Sequence, residues 1–203
     1  MTLKHVLLAL AAFALLSASS SASAQIDRPG NHINYSAEIE PHLVLQWQDD
    51  FYCGDEGIGL GLRASIPIMD DGPVPKINNS LAIGFGLDWA HFGDECRPWR
   101  GNPAYYDYDG NAFWLPIVVQ WNFYFSDLIS AFPELGLGIE HSVWSWGNGY
   151  CGPGAPADCD YDDSDTDVHP VFWLGVRFHL ADSVALTLRL GTPSLLLGAS
   201  FFL

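Results

Sequence analysis

Eight stretches of this chain alternate apolar and non-apolar residues with a period of two, which is the signature of strands with one buried and one different face. From Tyr35 to Gln48 one face carries Ile39, Leu43, Leu45 and Trp47 and the other carries Glu38, Glu40, His42 and Gln46. The second run sets Ile58, Leu60, Leu62 and Ile66 against Gly57, Gly59, Gly61, Arg63 and Ser65, and the third sets Leu81, Ile83, Phe85, Leu87 and Trp89 against Ser80, Gly84, Gly86 and Asp88. Five more follow, over residues 113–124, 134–143, 172–180, 184–191 and 195–203. An even number of strands joined in sequence closes into an antiparallel up-and-down barrel without free edges, so the expected fold is all-β with eight strands.

Alternation does not say which face points out, and composition does. The non-apolar face is rich in Gly, Ser and Ala, has few charges and has no lysine, unlike a soluble surface, which carries roughly 25–35% charged residues. As the lining of an eight-stranded barrel the same mixture is sensible, because glycine leaves room for long Arg and Glu side chains. The runs are close to or above the roughly 9–11 residues that a tilted transmembrane strand needs. No apolar stretch of 18 residues exists, which excludes a helical membrane protein. The chain is therefore expected to be a transmembrane β-barrel with its apolar face toward lipid. The alternative, a secreted lipocalin-like carrier of a small apolar ligand, would bury that face instead.

Residues 1–24 read as a signal peptide: Lys4 and His5, then the apolar stretch from Val6 to Leu16, then Ala22-Ser23-Ala24 ahead of Gln25. Residues 25–34 form a short lead and 35–203 the barrel. Short links fall at one end and longer ones at the other, over 49–56, 93–111 and 147–169, the asymmetry of barrels with external loops. Aromatic residues crowd the strand ends, among them Trp47, Trp89, Phe92, Phe113, Trp144 and Trp146 at one end and Phe123, Phe125 and Phe132 at the other, and are expected to form interfacial girdles.

On this pattern the chain resembles the small outer-membrane β-barrel family of Gram-negative envelopes, similar to the outer-membrane protein A transmembrane barrel. The resemblance covers Tyr35 to Leu203 and includes a C-terminal strand with Gly198, Phe201 and Leu203 at the positions where the family carries glycine, an aromatic and a terminal aromatic; here Leu203 stands in for the last. It implies residence in the outer membrane and delivery by the barrel-assembly machinery. The family includes anchors, adhesins, small pores and lipid-modifying enzymes, so it names no function.

The four cysteines, Cys53, Cys96, Cys151 and Cys159, all fall in expected external loops, and an exported chain with an even count is expected to form disulfides. Three pairings are possible; Cys151–Cys159 within one loop and Cys53–Cys96 between two loops are the expected ones. Fourteen of the 24 acidic residues lie in the same loops, and with 8 basic residues in the chain a nucleic-acid partner is excluded. Asp158, Asp160 and Asp162 have the alternate-oxygen spacing that calcium loops use, so Ca2+ is the one cofactor the sequence raises, although no Gly or bidentate Glu follows at the later positions. A solvated acidic loop is the other reading.

Inward charges are expected at Glu38, Glu40, Asp88, Glu134 and Glu140 against Arg63, Arg177 and Arg189, with His42 and His179 between them, and charges in a narrow lumen are expected to pair and close it. The inward glycines leave either a pocket for an acyl chain or room for Trp114, Tyr124 and Trp173. A catalytic serine and its base must share a face, whereas His141 and Ser142 are adjacent on a strand and point to opposite faces. No enzyme is expected, and a lipid A-modifying enzyme is the alternative. The expected role is structural or in cell-surface interaction, with the external ligand unspecified.

Overall fold

The computed structural model describes residues 25–47, 56–96, 106–146 and 161–203, and the side chains of all these except 94–96, 106–108, 146 and 161. The expected signal peptide, and with it Cys53, Cys151, Cys159, Asp158 and Asp160, lies outside the described residues.

Eight antiparallel strands close into one barrel in chain order, with β8 bonded back to β1. They are β1 (Glu38–Trp47), β2 (Glu56–Met69), β3 (Asn79–Cys96), β4 (Tyr106–Tyr124), β5 (Ile129–Trp146), β6 (Tyr161–Ala181), β7 (Val184–Thr192) and β8 (Ser194–Phe202). No described residue is helical. The period-two reading holds along the apolar belt of the barrel, with register shifts at Pro67/Met69 on β2 and His179/Ala181 on β6. On β1, Glu38, Glu40, His42, Val44 and Gln46 are buried in the lumen while Leu43 and Leu45 are exposed; on β5, Glu134 is 0% exposed while Leu137 is 58% exposed.

Exposed Leu, Ile, Val and Phe side chains ring the outside, for example Leu60, Leu87, Ile117, Leu174, Leu186 and Leu197. Water opposes an apolar belt of this extent, and a bilayer's hydrocarbon accommodates it. The soluble-carrier alternative needs these residues inside and is overturned by their outward direction.

One end, termed inner here, carries both ends of the described chain and the short turns at 70–78, 125–128 and 182–183. The β2–β3 turn includes Gly72 at φ 42°, where a Cβ would meet the Asn79 side chain 2.0 Å away, so the turn requires glycine. The lead folds against this end. Ile26 O accepts from Asn78 N at 2.7 Å, the Asn78 amide donates to Asn31 O at 2.7 Å, and His32 stacks on Tyr124 with ring centres 4.4 Å apart. Tyr35 packs edge-on against Phe202, and burial pushes its phenol well above the usual tyrosine range.

The outer end departs from the sequence reading. The expected loops 93–111 and 147–169 are in part strand, since β3 runs to Cys96, β4 starts at Tyr106, β5 runs to Trp146 and β6 starts at Tyr161. Pairing continues without interruption from Ile139↔Val168 to Trp146↔Tyr161. Glu56, placed in the 49–56 loop, is the first residue of β2.

Candidate functional site

The lumen is closed at mid-height by a ring of charged side chains. Arg63 on β2 donates from Nη2 to Asp88 Oδ2 and from Nη1 to Glu134 Oε2, each at 3.1 Å. Arg189 on β7 donates from Nε to the other Glu134 oxygen at 3.2 Å and from Nη1 to Glu40 Oε1. His42 completes the circuit, with Nε2 2.8 Å from Asp88 Oδ1 and Nδ1 3.2 Å from the Glu40 carbonyl. A second pair lies toward the inner end, where Arg177 grips Glu38 bidentately through Nε at 3.0 Å and Nη2 at 2.7 Å. Gln120 links the two groups. With its amide nitrogen toward Glu134 it donates at 2.9 Å, and its carbonyl accepts from Arg177 at 2.7 Å.

Every member of this network is buried. Isolated charges there would cost several kcal/mol each, so their survival depends on mutual pairing and on polar neighbours such as Ser200, which donates to Glu40 at 2.9 Å. Aromatic faces add to it. The Phe132 ring lies 4.0 Å from the Arg177 guanidinium carbon and 4.9 Å from that of Arg189, and Trp173 lies 4.8 Å from that of Arg63.

Above the ring the lumen is packed with apolar side chains. Val44, Ala90, Phe92, Ala112, Trp114, Val118, Val171, Trp173 and Leu196 form one buried cluster, with Trp144 against it. The space over several inward glycines is filled by side chains of the neighbouring strands. A Cβ on Gly57 would lie 2.6 Å from the Phe92 ring, one on Gly175 2.1 Å from Phe132, and one on Gly138 3.0 Å from Trp114. The gap beside Trp114 and Trp173, under Pro193 and Ser194, is too small to admit a water molecule. Of the inward glycines, Gly57 and Gly138 make room for bulky rings, Gly61 for His42 and Asp88, Gly84 for Val118, and Gly59, Gly86 and Gly136 for the backbone of the adjacent strand.

Phe92, Phe132 and Trp144 therefore differ from their expected place in the girdles. They sit at inward positions of their strands, and Phe92 and Phe132 are only 2% and 1% exposed. Trp89, Phe113, Trp121 and Phe123 do point outward. Phe51 and Tyr52, two further aromatics expected in the girdle at the long-loop end, lie outside the described residues.

Glu140, expected among the lumen pairs, stands apart from the ring at the outer mouth. It accepts from Ser142 Oγ at 3.1 Å and faces His169 Nε2 at 3.4 Å. His169 was invisible to sequence reasoning as a partner; the cross-strand register Gly138↔His169 and Glu140↔Asp167 brings it there, and only knowledge of β6's extension could have shown it. The Ser142 hydroxyl donates to the Glu140 carboxylate and not to a histidine. His141 points outward and shares a 2.8 Å hydrogen bond with Thr166. On the same outer collar Trp89 donates to Asn111 at 3.1 Å and His91 lies 3.9 Å from Asp109. The row Trp89, Phe113, His141, Thr166 thus marks where the apolar belt gives way to polar groups.

The remaining expected sites are placed as follows. Cys96 ends β3 opposite Tyr106, and Asp162 is exposed on β6 opposite Ser145. No cluster of three metal-ligating side chains occurs among the described residues. His179 lies outside the ion ring, sharing a 2.9 Å hydrogen bond with Ser130.

No family model matches the sequence, and no curated protein matches it. Solved structures do. The chain is similar to Ail, the attachment invasion locus protein of Yersinia pestis, at 13% identity and TM-score 0.51, over 83% of this chain and 98% of that one. Ail in complex with the heparin analogue sucrose octasulfate aligns at 11% identity and TM-score 0.50, over 81% and 96%. Neisserial surface protein A aligns at 12% identity and TM-score 0.45, over 82% and 96%. At these identities the likeness is one of fold, that of the small eight-stranded outer-membrane barrels.

Proposed function

We propose that this chain, which has the fold of the small eight-stranded outer-membrane barrels, resides in the outer membrane and acts by non-covalent interaction at its outer surface. The closed lumen carries this reading. Support comes from the ion ring running from Asp88 through Arg63, Glu134, Arg189 and Glu40 to His42, with the packed rings of Trp114 and Trp173 above it and no room for a water in the gap beside them. What remains available is the strand extension and whatever the loops present beyond it.

The charge of that extension narrows the kind of partner. Asp109, Asp162, Asp163, Asp165 and Asp167 lie on it, and none of its described residues is Lys or Arg. One Ail structure holds a heparin analogue; a sulfated polyanion would be repelled by this surface. The C-terminal strand with Gly198, Phe201 and Leu203 is the segment proposed to be handed to the barrel-assembly machinery, and Cys53, Cys96, Cys151 and Cys159 are proposed to tie the outer loops. The test of the closed lumen is reconstitution of the full mature chain into planar bilayers. Absence of discrete conductance steps is expected, and reproducible ion-selective steps would overturn it.

A second reading rests on Ser142, Glu140 and His169 meeting at the outer mouth, where a lipid A-modifying enzyme would need its groups. It predicts that lipid A from cells producing the protein changes mass and that Ser142→Ala abolishes the change. The interaction reading predicts an unchanged spectrum.

A further inference from the structure

The lipid-facing belt is not uniform around the barrel. On the outward face of β2, Ala64 stands between Leu62 and Ile66, and its cross-strand partner on β3 is Phe85. A small side chain among large ones leaves a depression. A groove of about 620 Å³ lies there along the β2–β3 seam, walled by Leu60 and Leu62 on one side and by Phe85, Leu87 and Trp89 on the other. Clefts that hold small ligands span roughly 300–1,000 Å³, so the groove is of ligand size.

At its outer end the groove meets the polar collar. Trp89, paired with Leu60, closes it there, and its indole N–H donates to Asn111 Oδ1 at 3.1 Å. The Asn111 amide in turn donates to Asp109 Oδ1 at 3.2 Å, and His91 Nδ1 lies 3.9 Å from the same oxygen. Asn111 thereby fixes both the indole that tops the groove and the carboxylate above it. On β2 the next outward residues beyond Leu60 are Ile58 and Glu56, both exposed. Two carboxylates, Asp109 and Glu56, therefore stand over an apolar groove on the lipid-facing side. The described Lys and Arg residues outside the lumen, Arg28 and Lys76, both lie at the inner end, so neither offsets this charge.

An apolar groove beneath carboxylates is the complement of an amphiphile with a cationic headgroup. A purely anionic headgroup would meet like charge at the collar. A primary ammonium supplies both the opposite charge and N–H donors, and charge-assisted hydrogen bonds to carboxylates are the stronger kind.

We propose that the β2–β3 groove is a lipid site selective for phosphatidylethanolamine, with one acyl chain laid over Ala64 and the ammonium group held by Asp109 and Glu56. The site is on the membrane-facing wall and goes beyond the surface-interaction reading, which concerns groups above the membrane.

Trp89 reports on the groove directly. The full mature chain is folded into phosphatidylcholine vesicles that contain a fixed share of either phosphatidylethanolamine or phosphatidylglycerol with brominated acyl chains. Bromine quenches a tryptophan it touches, and the contribution of Trp89 is the difference between the parent and Trp89→Phe. Phosphatidylethanolamine is expected to quench Trp89 about threefold more than phosphatidylglycerol at equal share, the scale of exposed ion pairs. The double variant Asp109→Asn with Glu56→Gln keeps the side-chain shapes, removes both charges and is expected to bring that ratio close to one. Ala64→Leu fills the groove and is expected to lower quenching by phosphatidylethanolamine; Ala64→Val repeats the experiment if Ala64→Leu shows no folded, heat-modifiable band. Equal quenching by the two lipids in the parent, an unchanged ratio in the double variant, or full quenching with the groove filled overturns the proposal.

Discussion

The two halves of this barrel are built to different heights. β3 to β6 are 18, 19, 18 and 21 residues long, whereas β1, β7 and β8 are 10, 9 and 9. The short strands match what a tilted crossing of the hydrocarbon requires, roughly 9–11 residues. Whatever the tall half has beyond that stands outside the membrane and is held by strand pairing and a few polar side-chain contacts such as Trp89–Asn111 and His141–Thr166. Within the membrane the halves are equivalent partners. Arg63 on β2 and Arg189 on β7 both reach across to Glu134 on β5, so the tall half supplies the anion on which two cations of the short half converge.

That convergence is where the largest mutational effect is expected. Glu134→Ala leaves two buried guanidiniums without their shared carboxylate, and loss of one partner of a buried ion network costs about 3–5 kcal/mol. Urea unfolding of the protein in lipid vesicles, followed by tryptophan fluorescence, measures it. A loss below about 1 kcal/mol would show that the halves are held together by the strand ladders and lipid, with the ring contributing little.

The height difference itself is tested by moving one charge along β5. Leu137 faces lipid near mid-belt, and Ser145 lies on the same face four residues above His141. Leu137→Arg is expected to destabilise by about 2–4 kcal/mol, the cost of a cation at the bilayer midplane, and Ser145→Arg by about 0–1 kcal/mol. Equal costs would mean that the polar collar at Trp89, His91, Asn111 and His141 is not the membrane boundary.

These halves also differ in how much of them the sequence revealed. β1, β7 and β8 lie almost wholly at membrane height, where one face meets lipid and the other the lumen, and their alternation runs from end to end. The upper part of β6, Asp162-Asp163-Ser164-Asp165-Thr166-Asp167, is wet on both faces, so no apolar period marks it and it reads as a loop. Its strand character comes from pairing to β5, a non-local fact. The lumen charges were legible residue by residue because inward positions follow from parity. Which carboxylate meets which arginine was not, since Arg63–Glu134 and Arg177–Glu38 join strands that are not neighbours. Phe92 and Phe132 were misplaced for another reason: aromatic character at a strand end was given more weight than parity, and parity decided.

Packing inside the membrane should show a smaller effect than charge. A Cβ on Gly175 would lie 2.1 Å from the Phe132 ring, which rests against both Arg177 and Arg189. Gly175→Ala forces that ring to move and is expected to cost about 1–3 kcal/mol, the range for overpacking a filled core. The same unfolding assay reads it, and a neutral result would show that the inner lumen can repack without losing its ion pairs.

The smallest effect on stability is expected where the tall half stands clear of the membrane. Asp165 caps one exposed edge amide, and its side chain is in water. Asp165→Asn keeps an acceptor oxygen in place and removes a charge among like charges at Asp163 and Asp167, so the loss of a charge-assisted bond and the relief of repulsion oppose each other. The net change is expected within about 0.5 kcal/mol, the ordinary range for a surface site. Amide exchange gives the sharper readout. The Thr166 amide should exchange faster in Asp165→Asn than in the parent, because a neutral amide oxygen holds the N–H less firmly, while Leu174, paired on both sides of β6, should keep its protection in both. If Thr166 and Leu174 are equally protected in the parent, the side of β6 that has no strand partner over 161–171 among the described residues is covered, and the two halves do not differ in the way their strand lengths indicate.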